Sequence, residues 1–106
     1  MNKLKTILVL IFSLSFLTFA AQPYIYGKVL KKNNRPAVGY KIVLEQNGST
    51  TKPVYIDMFG KYAIYSLPPN GRFGKFNLRI YFGKKLIKVV PVNINRKFTR
   101  FDIKLD

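Results

Sequence analysis

Glu45, Asp57, Asp102 and Asp106 are the only acidic side chains in this 106-residue sequence, and it contains neither histidine nor cysteine. The inventory therefore lacks the usual general base near neutral pH, the usual zinc ligands and the thiol nucleophile. Paired-carboxylate chemistry needs two acids converging about 5 to 9.5 Å apart, and each acid here has another duty. Asp57 heads the turn Asp57-Met58-Phe59-Gly60, where its carboxylate can accept backbone N–H groups two or three residues on while Gly60 takes positive φ. Glu45 and Asp102 fall on outward strand positions among lysines, and Asp106 is the last residue of the sequence. An internal isopeptide bond assisted by a buried acid is excluded by parity. Lys28, Glu45 and Asp102 sit opposite the inward residues Gly27 or Val29, Leu44 and Ile103, so they cannot meet in the core. The sequence predicts a chain without enzymatic activity, metal or cofactor.

What remains is cationic chemistry. Nineteen Lys and Arg against four acids give a net charge of +15. Such a balance favours anionic partners: lipid headgroups, acidic polysaccharide, nucleic acid or an acidic protein. It also keeps sheet edges from pairing through self-repulsion. Cations interleave with aromatics in Arg72-Phe73-Gly74-Lys75-Phe76 and Arg79-Ile80-Tyr81, the pattern that neutralises phosphates and stacks bases. Strand alternation already accounts for those aromatics, so nucleic acid is not the expected partner. Tyr55, Tyr65 and Tyr81 form an outward set, through plain β-propensity or as a platform for a sugar or a protein.

The elements that would position these groups are strands. Lys3 and Lys5 precede an uncharged run from Thr6 to Phe19, with Thr18 and Ala20 at the −3 and −1 positions of a cut after Ala20. This is the layout of a cleavable signal peptide. The run falls short of the ~20 residues a spanning helix needs, so no transmembrane segment is expected after cleavage. Residues 21–106 then form one small domain, secreted or periplasmic, with a charge near +13 once the two lysines are gone. Without disulfides its stability rests on packing and sheet hydrogen bonds. Period-two alternation between Gly, Pro and Asn clusters predicts strands around Ile25–Leu30, Tyr40–Glu45, Val54–Ile56, Lys61–Leu67, Phe76–Phe82, Leu86–Ile94 and Phe101–Leu105. Tyr40, Ile42 and Leu44, then Phe76, Leu78, Ile80 and Phe82, and finally Phe101, Ile103 and Leu105, are expected to face inward. Pro91 marks an edge strand or a bulge. Two antiparallel sheets packed face to face follow.

Ile25-Tyr26-Gly27-Lys28-Val29, the stretch from Arg35 to Leu44 and the stretch from Asp57 to Pro69 together resemble carboxypeptidase regulatory-like domains, which are transthyretin-like, prealbumin-type β-sandwiches. The resemblance covers most of residues 24 to 105 and implies an all-β fold: a single seven-stranded antiparallel sandwich of Greek-key type. The same superfamily includes hydrolases of a purine-derived ring that rely on histidines and a C-terminal Tyr-Arg-Gly-Ser motif. This chain, ending Ile103-Lys104-Leu105-Asp106, has neither, nor does it carry a metallocarboxypeptidase zinc motif. In the family pattern Leu67-Pro68-Pro69 would be followed at once by Gly and an aromatic, whereas Asn70 to Lys75 here inserts a basic loop. Surface insertions are tolerated at little cost and often carry binding roles. The candidate contacts are accordingly Arg72, Phe73 and Lys75 on that loop, with Lys84 and Lys85 on the neighbouring turn. The expected function is a non-enzymatic exported module that recognises a protein partner, an anionic envelope polymer or a lipid headgroup. A structural subunit of an envelope or surface assembly, and a secreted inhibitor or immunity protein, stand as alternatives.

Overall fold

The structure, a computed structural model, describes residues 21–106. The expected signal peptide and its cut after Ala20 lie outside the described residues. Strand β1 (Ile25–Leu30) buries Ile25, Gly27 and Val29 on one side, as their spacing requires. It is followed by β2 (Lys41–Gln46), β3 (Ser49–Thr50), β4 (Val54–Tyr55), β5 (Lys61–Ile64), β6 (Gly74–Phe82), β7 (Lys85–Ile94), β8 (Thr99–Arg100) and β9 (Ile103–Lys104). One sheet has the order β5-β1-β8, with β9 also on β1, and the other has the order β3-β2-β6-β7, with β4 also on β2. No helix among the described residues is long and apolar enough to cross a membrane.

Two expectations need correction. Among the described residues nine strand segments replace the expected seven, because two lanes are each broken in the middle. Beside β2 the break falls at Thr51-Lys52-Pro53, where the Thr51 hydroxyl accepts the Leu44 N–H at 3.0 Å and Pro53 has no donor to offer. Beside β1 it falls at Phe101-Asp102. The sandwich is also not wholly antiparallel, since β8 and β9 both run parallel to β1. The chain reaches that lane by a crossover from β7 in the opposite sheet, and its direction there matches β1.

The core lies between the sheets. Ile25 and Val29 from β1, Ile42 and Leu44 from β2, and Leu78 and Ile80 from β6 are completely screened from solvent. Each such side chain stabilises the fold by roughly 1.5–3 kcal/mol relative to exposure. Asn47 and Gly48 both take positive φ, at 52° and 83°, which closes the β2–β3 hairpin in the sense that matches strand twist. Phe82, expected inward, is instead 56% exposed. The β6–β7 register slips between Ile80, opposite Lys88, and Tyr81, opposite Leu86. This bulge accommodates Ile87 in β7, while Phe82 ends β6 with its ring on Tyr40.

The two ends of the sandwich gather different loops. At one end lie the turns after β1, β4, β6 and β9 and the start of β2. At the other lie the entry to β1, the segment from Ser66 to Phe73, and the turn from β7 to β8.

Candidate functional site

The Asn70 to Lys75 loop is built rather than loose. Asn70 takes a φ of 60° and the Gly71 N–H donates to the Pro68 carbonyl at 2.8 Å, a tight turn in which a side chain on Gly71 would crowd that same oxygen. Gln46, at the end of β2, then fastens the loop. Its Nε2 donates to the carbonyls of Arg72 and Lys75 at 2.8 and 3.0 Å, while its Oε1 accepts the Arg72 N–H at 2.9 Å. The side chains of Arg72, Phe73 and Lys75 are left exposed. Phe73 leans on Tyr24 with ring centroids 6.0 Å apart, and Lys97 stands 5.1 Å from the same tyrosine ring. Arg72, Phe73 and Lys97 thus form one basic, aromatic corner.

Lys84 and Lys85 are exposed as well, but they do not join that corner. They follow the far end of β6, nine residues long, which at ~3.4 Å per residue puts them on the order of 27 Å from Gly74. The five predicted contact residues therefore divide between opposite ends of the molecule.

A third feature was only half visible in the sequence. The outer face of β5-β1-β8 holds a shallow concavity of about 660 Å³ whose rim includes Tyr26, Tyr55, Tyr65 and Phe98 with Lys61 and Arg100. Tyr55 and Tyr65 were marked as outward by parity, and both are exposed. Tyr81 does not belong with them, since it does not line this concavity and accepts a hydrogen bond from Arg79 Nε at 3.0 Å. The cations were missed because strand pairing brings them in: β5 lays Lys61 directly opposite Lys28, and β8 lays Arg100 beside Tyr26.

None of the carboxylates converges on another. Asp57 Oδ1 accepts the N–H groups of Phe59 and Lys61, both at 2.9 Å. Gly60 takes its expected positive φ, 79°. Glu45 accepts from Asn77 Nδ2 at 3.1 Å, and Asp106 stands 3.5 Å from Lys88 Nζ. Asp102 accepts the Lys28 N–H at 2.9 Å and faces Arg100 Nε at 3.4 Å. Among the described residues there is no cluster of three acids able to hold a metal ion. The titration of Tyr62 is displaced. Burial, and secondarily the charge of Asp102, push its hydroxyl well above the ordinary tyrosine range, and it donates to the Phe101 carbonyl at 2.6 Å.

No protein-family model matches the chain, and no curated protein sequence matches it. Among solved structures it is similar to the 5-hydroxyisourate hydrolase of Klebsiella pneumoniae, with a TM-score of 0.54 and 15% identity over 80% of this chain and 87% of that one. That likeness corrects the expectation of a chain without enzymatic activity, because a protein sharing this architecture is a hydrolase. The absence of histidine and cysteine therefore does not place the chain outside the enzymes. At this identity the likeness carries the fold alone: the protein has a transthyretin-like β-sandwich.

Proposed function

We propose that the protein is an exported β-sandwich module of the carboxypeptidase regulatory-like kind that recognises an anionic partner, an acidic protein or an envelope component, through its basic loops. The observation that carries this reading is the distribution of charge. Among the described residues only Lys88 and Arg100 have a carboxylate within 4 Å, although the chain carries nineteen Lys and Arg. The few acids are engaged with backbone or neighbouring side chains, so the remaining cations are available to an external anion. Arg72 and Lys75 at one end and Lys84 and Lys85 at the other are the residues assigned to contact it.

Affinity capture from the native envelope at low and high salt tests the reading. Exposed charge pairs are screened beyond about 10 Å at 0.1 M salt, so capture should fall as salt rises. The pairs Arg72→Ser with Lys75→Ser, and Lys84→Ser with Lys85→Ser, should each weaken it. Capture with unchanged strength and salt dependence in both double variants would overturn the proposal.

A second reading, a structural subunit that pairs through its sheet edge, is favoured by the length of β7. Among the described residues this ten-residue strand has a partner only on its β6 side. Crosslinking in intact cells separates the two readings: one recurrent protein neighbour joined through β7 supports assembly.

A further inference from the structure

Three loops at one end of the sandwich each raise a large apolar side chain into solvent. Val38 is 52% exposed, Met58 70%, Phe59 64% and Phe82 56%. The loops are mechanically one unit. The Gly39 N–H donates to the Ile56 carbonyl at 3.1 Å and the Ile56 N–H donates to the Tyr40 carbonyl at 2.9 Å, which ties the first loop to the second. Gly60 packs so closely on Pro36 that an added Cβ would lie 3.2 Å from the proline Cβ. The Tyr40 and Phe82 rings meet with centroids 4.7 Å apart, which ties the first loop to the β6–β7 turn.

Lysines and arginine surround these tips. Lys31, Lys32 and Arg35 stand on the first loop, Lys61 Nζ lies 6.0 Å from the Phe59 ring, and Lys84 and Lys85 follow Phe82 and Gly83. The acids nearby are few: Asp57, which accepts the turn amides, and Asp106, 3.5 Å from Lys88 Nζ. We infer that this end docks on an anionic lipid surface, with Val38, Met58, Phe59 and Phe82 entering the headgroup region while the ring of cations engages lipid phosphates. The inference rests on the anionic-partner reading and names the partner for this end.

Charge and shape together select a bilayer over a protein. Separate convex tips on three loops suit a deformable interface, in which each tip finds its own depth, better than a rigid complementary pocket. Apolar burial plus attraction to anionic lipid is the pairing that gives peripheral membrane binding its strength. The opposite end, with Arg72, Phe73 and Lys97, would then face away from the membrane.

The test uses residues 21–106, which contain both sheets and the core that joins them, with a cooperative melt confirming that every variant is folded. The chain has no tryptophan, so Phe59→Trp, Phe82→Trp and Phe73→Trp each introduce a single indole reporter. Vesicles of phosphatidylcholine with about one-third phosphatidylglycerol should shift the emission of the first two to the blue and leave the third unchanged. Pure phosphatidylcholine vesicles should bind far more weakly. Lys84→Ser with Lys85→Ser should lower partitioning to the anionic vesicles about tenfold or more, and Phe59→Ser with Phe82→Ser should lower it about tenfold at fixed salt. Dextran sulfate, a soluble polyanion, serves as the comparison. Binding of dextran sulfate, with vesicle partitioning indifferent to Phe59→Ser and Phe82→Ser, would overturn membrane docking while leaving the anionic-partner reading in place. Failure to bind either polyanion or anionic vesicles would overturn both. A blue shift from Phe73→Trp alone would assign the membrane to the other end and overturn the inference.

Discussion

At the scale of single residues, the most consequential arrangement is the exchange of partners where β1 meets the break between β8 and β9. The Phe101 carbonyl is held by the Tyr62 hydroxyl, and the Lys28 N–H is satisfied by the Asp102 carboxylate. Gly27 permits this, because a side chain there would collide with the Phe101 carbonyl and approach Asp102 Oδ1 to 2.8 Å. Gly27→Ala is therefore expected to destabilise the protein by about 1–3 kcal/mol or more through overpacking against backbone, measured by urea unfolding. Tyr62→Phe removes one hydrogen bond and leaves a carbonyl without its partner, a loss of about 1–3 kcal/mol near neutral pH. The sign with pH follows from the raised titration of Tyr62 in the folded state. Its contribution is fully present below the ordinary tyrosine pKa of about 10 and declines as pH rises beyond it, because the unfolded chain can ionise while the folded one cannot. The stability gap between wild type and Tyr62→Phe should consequently narrow from pH 8 to pH 11. A gap that widened would refute the assignment. The sequence placed Asp102 outward among cations, which is correct, yet gave no sign that it would accept a backbone N–H. That contact depends on which strand lies beside β1, and no local pattern carries that information.

At the scale of elements, β7 and the Asn70 to Lys75 loop show how local pattern and tertiary context divide the work. Pro91 marked β7 as an edge, and among the described residues β7 pairs only with β6. A long edge strand invites pairing with other chains, and this one has a second guard that pattern reading overlooked. Lys88 is opposite Ile80 on the inward side, and its Nζ reaches out to the Lys104 carbonyl at 3.3 Å and to Asp106. Lys88→Leu should remove that inward charge and raise concentration-dependent self-association, read by sedimentation velocity. A strictly monomeric variant at high concentration would show that Pro91 and the bulge suffice. In the loop, composition predicted only a basic surface insertion, whereas Gln46 supplies three hydrogen bonds that hold it. Gln46→Ala should speed hydrogen exchange at the Arg72 amide markedly while changing global stability by about 1 kcal/mol at most, since the loop lies outside the core. Phe82 failed as an inward prediction because it ends β6, where its ring packs on Tyr40 with centroids 4.7 Å apart at the rim of the core rather than within it. The extra residue Ile87 lies in β7 and leaves the alternation of β6 unbroken.

At the scale of the whole molecule, charge dominates. Like charges face each other directly at Lys28 and Lys61, and few cations meet an acid. Moderate salt should therefore raise the melting temperature by screening repulsion, while the same salt weakens capture of an anionic partner. A melting temperature that fell as sodium chloride rose from 10 to 200 mM would contradict that balance. The sequence by itself determined that the chain builds an all-β sandwich, because alternation of apolar and polar residues between glycine, proline and asparagine turns is a local property of covalent order. It likewise determined the excess of cations and the turn duty of Asp57. Only the tertiary structure decided that β8 and β9 run parallel to β1 and that Arg72 and Lys84 lie at opposite ends. It alone decided, too, that Tyr26 and Tyr65 share a concavity with Tyr55 of the other sheet and with Lys61 and Arg100. The physical reason is common to all three. Which strands become neighbours is set by the packing of two whole sheets against each other, a sum over distant contacts to which no single stretch of sequence holds the key.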